Sequence, residues 1–222
     1  ALGPLAGEFS LAPNLAAHAG YFAGDDDTRL AALATALADP EIDAIVCARG
    51  GYGLTRLLPH LDPARLAAAP KLLLGFSDIT AMLAWALAQV GLASVHGPVV
   101  TQLATIGEDD HERLALLLRG EDPGALSAET GAVLVGGVVE GPLFAGNLEV
   151  LRSLVGTRAL PDLSGCVLAL VLAIAAAVAV GQAWKALHKH GGARVGHALG
   201  ALIALAVAAA AGLGVAVIAG TV

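Results

Sequence analysis

Two apolar rhythms alternate along the chain. Short continuous runs at 42–48, 72–74 and 93–100 predict strands, and the Leu72-Leu73-Leu74 run reads as one covered on both faces. Between and after them, apolar residues recur at three- and four-residue intervals: Leu30, Leu33, Ala34 and Leu37; Ile79, Met82, Leu83, Ala86 and Leu87; Leu114, Leu117 and Leu118. That spacing predicts helices with one buried stripe each. Gly24-Asp25-Asp26-Asp27-Thr28 supplies caps and first-turn acids for the first helix, and Asp39-Pro40 ends it. Residues 9–14 read as a short strand, 54–58 as a short helix stopped by Pro59, 132–139 as a further strand, and 148–154 as a helix that closes at Gly156.

Strand and helix in alternation predict an α/β fold, a parallel sheet flanked by helices. Gly, Pro, Asp, Glu and Ser dominate 121–131 and mark a linker. The expected organisation is therefore an α/β domain over 1–120, the linker, and a smaller, highly apolar C-terminal domain over 132–222. Residues 1–4 carry no basic or long apolar leader, so no signal peptide is expected there.

Composition changes this picture in one place. Up to Asp162 the chain holds 9 basic and all 19 acidic residues; beyond it there is no carboxylate, and Lys185, Lys189 and Arg194 leave a charge of +3. Residues 166–184 and 198–222 are uncharged apolar runs of 19 and 25 residues, each long enough to cross a hydrocarbon core of about 30 Å. The basic, His-rich loop between them, with His188, His190 and His197, resembles the turn of a membrane hairpin. Buried strands and helices of an α/β domain are the soluble alternative. The overall charge of −7 argues against nucleic acid as a partner. Cys47 and Cys166 lie in apolar surroundings and read as reduced thiols, and no metal-ligand spacing is present. No cofactor is expected.

In parallel α/β sheets ligands bind beyond the carboxyl ends of the strands. Arg49-Gly50-Gly51, Gly75-Phe76-Ser77-Asp78 and His96-Gly97-Pro98 all fall at such ends. Ser77 is the candidate nucleophile, since a hydroxyl at a strand-to-helix junction meets the unpaired N–H groups and positive dipole end of the helix. The competing reading makes Ser77-Asp78 a helix cap. Gly50-Gly51 matches neither phosphate-binding glycine pattern, and a plain tight turn is its alternative.

These motifs, with Gly20-Tyr21-Phe22-Ala23-Gly24-Asp25-Asp26-Asp27-Thr28-Arg29 and Gly141-Pro142-Leu143-Phe144-Ala145-Gly146-Asn147-Leu148, resemble the LD-carboxypeptidase family of serine peptidases, which includes microcin C immunity enzymes. The resemblance covers about residues 11–165 and implies a cytoplasmic hydrolase with a Ser-His-Glu triad. Such an enzyme removes a C-terminal D-residue, here D-alanine, from an L,D-linked tetrapeptide in peptidoglycan recycling. It further implies Ser77 as nucleophile and, as oxyanion hole, backbone N–H groups near the Gly50-Gly51 turn and after the serine, here those of Gly51 and Asp78; Arg49 is the candidate to meet a substrate carboxylate, with a surface or sheet-edge salt bridge as its alternative. His197, in the Gly196-His197 pair, is the tail residue that fits the family histidine. Two departures accompany it. Members begin with a further strand and helix, and the position matching their catalytic Glu is Val171. The expected partner is a peptide or muropeptide, with a homodimer left open. The alternatives are a peptide-binding relative impaired in catalysis, and a membrane-anchored module held through 166–222.

Overall fold

The computed structural model of the chain describes residues 9–125, 133 and 135–171, together with the backbone of the strand Ala216–Ala219. Two compact units emerge, Ala1–Ala125 with Val150–Asp162, and Leu126–Glu149 with Leu163–Val222.

In the first unit, a three-stranded parallel sheet runs in the order β1 (Ala44–Val46), β2 (Leu72–Gly75), β3 (Val95–His96). Leu73 and Leu74 of the central strand are fully buried, as a run covered on both faces requires. Leu74 joins Leu103 and Leu114 in a core cluster on which Val46, Val95, Ile106 and Leu118 pack. Helices α1 (Asp26–Ala38), α2 (Pro63–Ala68), α3 (Thr80–Val90) and α4 (Glu108–Leu118) surround the sheet. Asp25 caps α1 by accepting from the Thr28 N–H at 2.8 Å. Residues 54–60 form two 3₁₀ turns, Leu54–Arg56 and Leu58–His60, and Pro59 sits inside the second of them.

Lys71, just before β2, is buried, and its ammonium donates to the carbonyls of Asp39 (2.8 Å) and Ile42 (3.1 Å). A buried cation is tolerated when such oxygens replace its water. These two bonds fasten the α1–β1 connection to the start of the central strand.

In the second unit β4 (Leu143–Asn147) and β5 (Val167–Val171) pair in parallel, and β6 (Ala216–Ala219) adds to β5 antiparallel. β4 leads directly into α5 (Leu148–Leu154), and Gly156 follows with φ 80°. The fold is α/β, with a parallel first sheet, a mixed second sheet and flanking helices. Residues 9–12 and 135–139 are not strands. At 135–139 Gly136-Gly137 interrupts the valines, Gly137 has φ 153°, and Val138 is 99% exposed, so the valine preference for a pleated, half-buried surface finds none.

The described parts of the two long apolar runs are Cys166 with the strand β5, and the strand β6. Among the described residues no helix is long and apolar enough to cross a membrane. The rest of those runs, with His188, His190 and His197, lies outside the described residues.

Candidate active site

Parallel register puts the three strand ends on one edge of the first sheet. Gly75 lies opposite His96, the Cys47 N–H donates to the Leu74 carbonyl at 3.0 Å, and the Gly97 N–H donates to Gly75 at 3.0 Å. The chain after β3 then crosses back towards β1, with Val100 and Thr101 donating to the carbonyls of Cys47 (3.0 Å) and Ala48 (3.1 Å).

Ser77 takes φ 66°, the one non-glycine residue with positive φ among the described residues. That backbone region costs an L-residue about 1–3 kcal/mol and persists only where the surroundings enforce it. Here the enforcement is visible. A methyl group at Gly75 would stand 2.5 Å from Ile79 Cγ2, so the turn closes only over a bare backbone. From the other side, a methyl group at Gly50 would stand 2.7 Å from Ser77 Cβ and 3.2 Å from Ser77 Oγ. The Gly50-Gly51 turn is therefore packed directly on the serine.

The helix-cap reading of Ser77 falls on the same geometry. Phe76 occupies the cap position of the 3₁₀ turn Ser77–Ile79, and no side chain bonds to that turn as a cap. Asp78 spends its carboxylate elsewhere, with Oδ2 accepting from the Leu54 N–H at 2.9 Å. Burial pushes the Asp78 carboxyl above the ordinary carboxylate range, opposed by the Leu54 N–H and by the Arg29 guanidinium. Among the described residues the backbone N–H groups of Gly51 and Asp78 have no partner. The turn's own bonding starts one residue later, from Ile79 N–H to Phe76 at 3.4 Å.

A cleft of about 270 Å³ opens beside these groups, lined by Leu15, Ala17, His18, Tyr21, Phe22, Ala23, Arg29, Arg49, Gly50, Tyr52, Leu54, Asp78 and Ile79. Arg49 lies over the Tyr21 ring at 4.7 Å, donates to the Tyr21 hydroxyl, and donates through Nε to Gly50 at 3.1 Å. No carboxylate pairs with it among the described residues. Arg29 and Arg56 share Asp26 and flank the Phe22 ring at 4.4 and 5.4 Å.

Ser77, Gly50, Gly51, Asp78 and Arg49 thus come together on one rim. His197 lies outside the described residues. Val171 is the last residue of β5, opposite Asn147. Tyr21 and Phe22 enter the sequence reading only as members of a motif, and the aromatic wall they form with Tyr52 is not anticipated there. A signal for it existed: both tyrosines of a chain that is 4% aromatic sit in glycine turns, at Gly20-Tyr21 and Gly51-Tyr52-Gly53.

His96 packs on the Phe76 ring at 5.4 Å, burial lowers its pKa, and its Nε2 has no partner among the described residues. Cys47 and Cys166 are both free, and burial pushes the Cys47 thiol up to about 12, which keeps it protonated and inert. Among the described residues no group of His, Cys, Asp and Glu could hold a metal ion.

Comparison with known proteins gives a consistent result. Residues 5–97 match the LD-carboxypeptidase N-terminal domain. A murein tetrapeptide carboxypeptidase of Pseudomonas aeruginosa is 39% identical over 159 residues, which is 68% of this chain and 52% of that protein. A muramoyltetrapeptide carboxypeptidase from Oxalobacter formigenes superposes with a TM-score of 0.58 at 31% identity, over 69% of this chain and 53% of the other. A MccF-like protein from Bacillus anthracis superposes with a TM-score of 0.63 at 22% identity, over 75% and 58%, and shares the fold. The chain spans about half the length of the curated relatives it matches.

Proposed function

Since the chain belongs to the LD-carboxypeptidase family through its N-terminal domain, we propose that it is a serine carboxypeptidase cleaving an L,D-peptide bond of a peptidoglycan-derived tetrapeptide and releasing the terminal D-alanine. The observation that carries this reading is the Ser77 backbone, held at φ 66° at a strand-to-helix turn with Gly50 packed against it. Such strain is maintained where a nucleophile must stand clear of its sheet.

In this mechanism Ser77 Oγ attacks the carbonyl carbon of the penultimate residue and gives up its proton to a base. His197 is the proposed base. The carbonyl oxygen becomes an oxyanion and receives the N–H groups of Gly51 and Asp78. Donors set in advance against that charge are each worth about 3–4 kcal/mol. Collapse breaks the C–N bond, the D-alanine amine leaves with the proton, and water then hydrolyses the acyl-serine. Arg49, without a carboxylate partner, would receive the terminal carboxylate of the leaving residue. That contact would make the reaction an exopeptidase one.

The test is release of D-alanine from a tetrapeptide by the chain and by Ser77→Ala. Loss of at least about a thousandfold is expected for the variant. No release by the unsubstituted chain sinks the activity, and equal rates sink the nucleophile.

A second reading rests on Val171 at the end of β5, where the resemblance calls for a carboxylate. A relative that binds the peptide without turning it over would bind the tetrapeptide in calorimetry and release no D-alanine. Measurable turnover removes this reading.

A further inference from the structure

The Gly50–Gly53 loop is tied down at both of its ends. At the first end Gly50 lies against Ser77, where a methyl group would be 2.7 Å from Ser77 Cβ. At the second end the Leu54 N–H, one residue beyond the loop, donates to the Asp78 carboxylate at 2.9 Å, a bond that is part-buried. Gly53 adds a weaker contact, its carbonyl accepting from Arg29 Nη2 at 3.5 Å. Its φ of 101° and its approach to the Phe22 ring, where a methyl group would be 2.8 Å away, leave it no room for a side chain. Every tie leads to the cleft wall or to the serine turn.

Asp78 is the residue that closes this circuit. Its backbone N–H is one of the two donors proposed for the oxyanion, and its side chain holds the loop that carries the other, Gly51. We infer that Asp78 is a positioning residue for the oxyanion hole, its carboxylate fixing the Gly51 N–H at a set distance from its own N–H through the Leu54 tie. The inference rests on the serine-hydrolase reading for its chemistry and on the Leu54 bond for its geometry.

The physical reason is a matter of tolerance. Two donors serve one oxyanion only if both stay within about 2.7–3.1 Å of where it forms. Gly51 lies between Gly50 and Tyr52 in a loop with no ladder bonds, so its backbone would otherwise wander. A part-buried bond from the Leu54 N–H, three residues on, to a carboxylate oxygen limits that motion, and a charge-assisted bond is stronger than a neutral one. The Arg29 guanidinium of α1 opposes, in part, the upward push of burial on the Asp78 carboxyl.

Asp78→Ala removes the acceptor and keeps the backbone donor, whereas Asp78→Asn offers an amide oxygen to the same Leu54 N–H without the charge. Expected for Asp78→Ala is a fall in kcat of about 10- to 100-fold with KM within about threefold. Its affinity for a peptidyl boronic acid should drop in parallel, because Ser77 Oγ adds to boron and the tetrahedral boronate oxygen occupies the oxyanion position. Asp78→Asn should recover both quantities to within about threefold of the original. A folded Asp78→Ala with kcat and boronic-acid affinity within twofold overturns the inference, whatever its melting temperature, and so does an Asp78→Asn as impaired as the alanine variant.

Amide exchange on the unsubstituted chain gives an answer even if Asp78→Ala does not fold. The Leu54 amide, bonded to the Asp78 carboxylate, should exchange much more slowly than the Gly51 amide, which has no partner among the described residues. A Leu54 amide that exchanges as fast as Gly51 would overturn the inference. If the unsubstituted chain neither releases D-alanine nor binds the boronic acid, the hydrolase reading falls, and exchange still decides whether the tie exists.

Discussion

The two sheets of this chain are built from the same kind of strand and carry different information. In β1–β2–β3 the strands end in Arg49-Gly50-Gly51, Ser77-Asp78 and Gly97-Pro98, and the turns beyond them are packed, strained and partly charged. In the second sheet, β4 and β5 end together in Asn147 and Val171, and no carboxylate follows Asp162 in the sequence. Chemistry enters only where the turn has residues that the strand itself does not need.

The largest effect expected from breaking that contrast comes from Gly50→Ala. The added methyl would stand 2.7 Å from Ser77 Cβ, so loop or serine must shift. A displacement near 1 Å at a nucleophile costs about 100-fold, and steady-state kcat for D-alanine release measures it. Val171→Glu works in the opposite direction, placing a carboxylate at the strand end of the second sheet. About a tenfold rise in kcat is expected if that position supports a histidine base, in line with a modest share of general acid–base catalysis. An unchanged rate would mean that the second sheet contributes no carboxylate from there.

Stability should show the same asymmetry on a smaller scale. Leu74→Ala empties the fully buried centre of the first core and should cost about 2–5 kcal/mol in denaturant unfolding. Leu143→Ala, at a position 65% exposed in β4, should stay within about 0.5 kcal/mol. Equal costs would contradict the burial that separates them.

The smallest effect concerns acid. Burial lowers the His96 pKa, so the folded state holds fewer protons on it than the unfolded chain. Stability should therefore be full above the ordinary value of 6.5 and decline as pH falls below it. Replacing His96 by Gln should flatten that part of the stability–pH curve. A slope unchanged by the substitution would assign it to other groups.

Where sequence succeeded and failed follows from what each feature depends on. Leu72–Leu74 and the three-and-four spacing after Ile79 were legible because burial on one or both faces leaves a periodic trace. The rim was legible as well, since Gly50, Gly51, Ser77 and Asp78 stand just after predicted strands. Their conformations were not. Sequence alone read Ser77-Asp78 as well suited to capping, and only the backbone shows Ser77 in the left-handed region with Asp78 turned to Leu54. The 135–139 stretch failed for the opposite reason: its valines have strand character but no strand to pair with among the described residues, and Gly136-Gly137 lets the chain turn away. Tyr21 escaped because its contact with Arg49 spans 28 positions, which no local pattern records.

The positive φ of Ser77 has a consequence for how this chain would respond to selection. Glycine adopts that backbone freely, so Ser77→Gly should relieve the strain and raise the melting temperature while removing the hydroxyl. A screen that rewards only soluble, heat-resistant protein would therefore favour losing the nucleophile. Persistence of serine there under such a screen would require the screen to sense turnover.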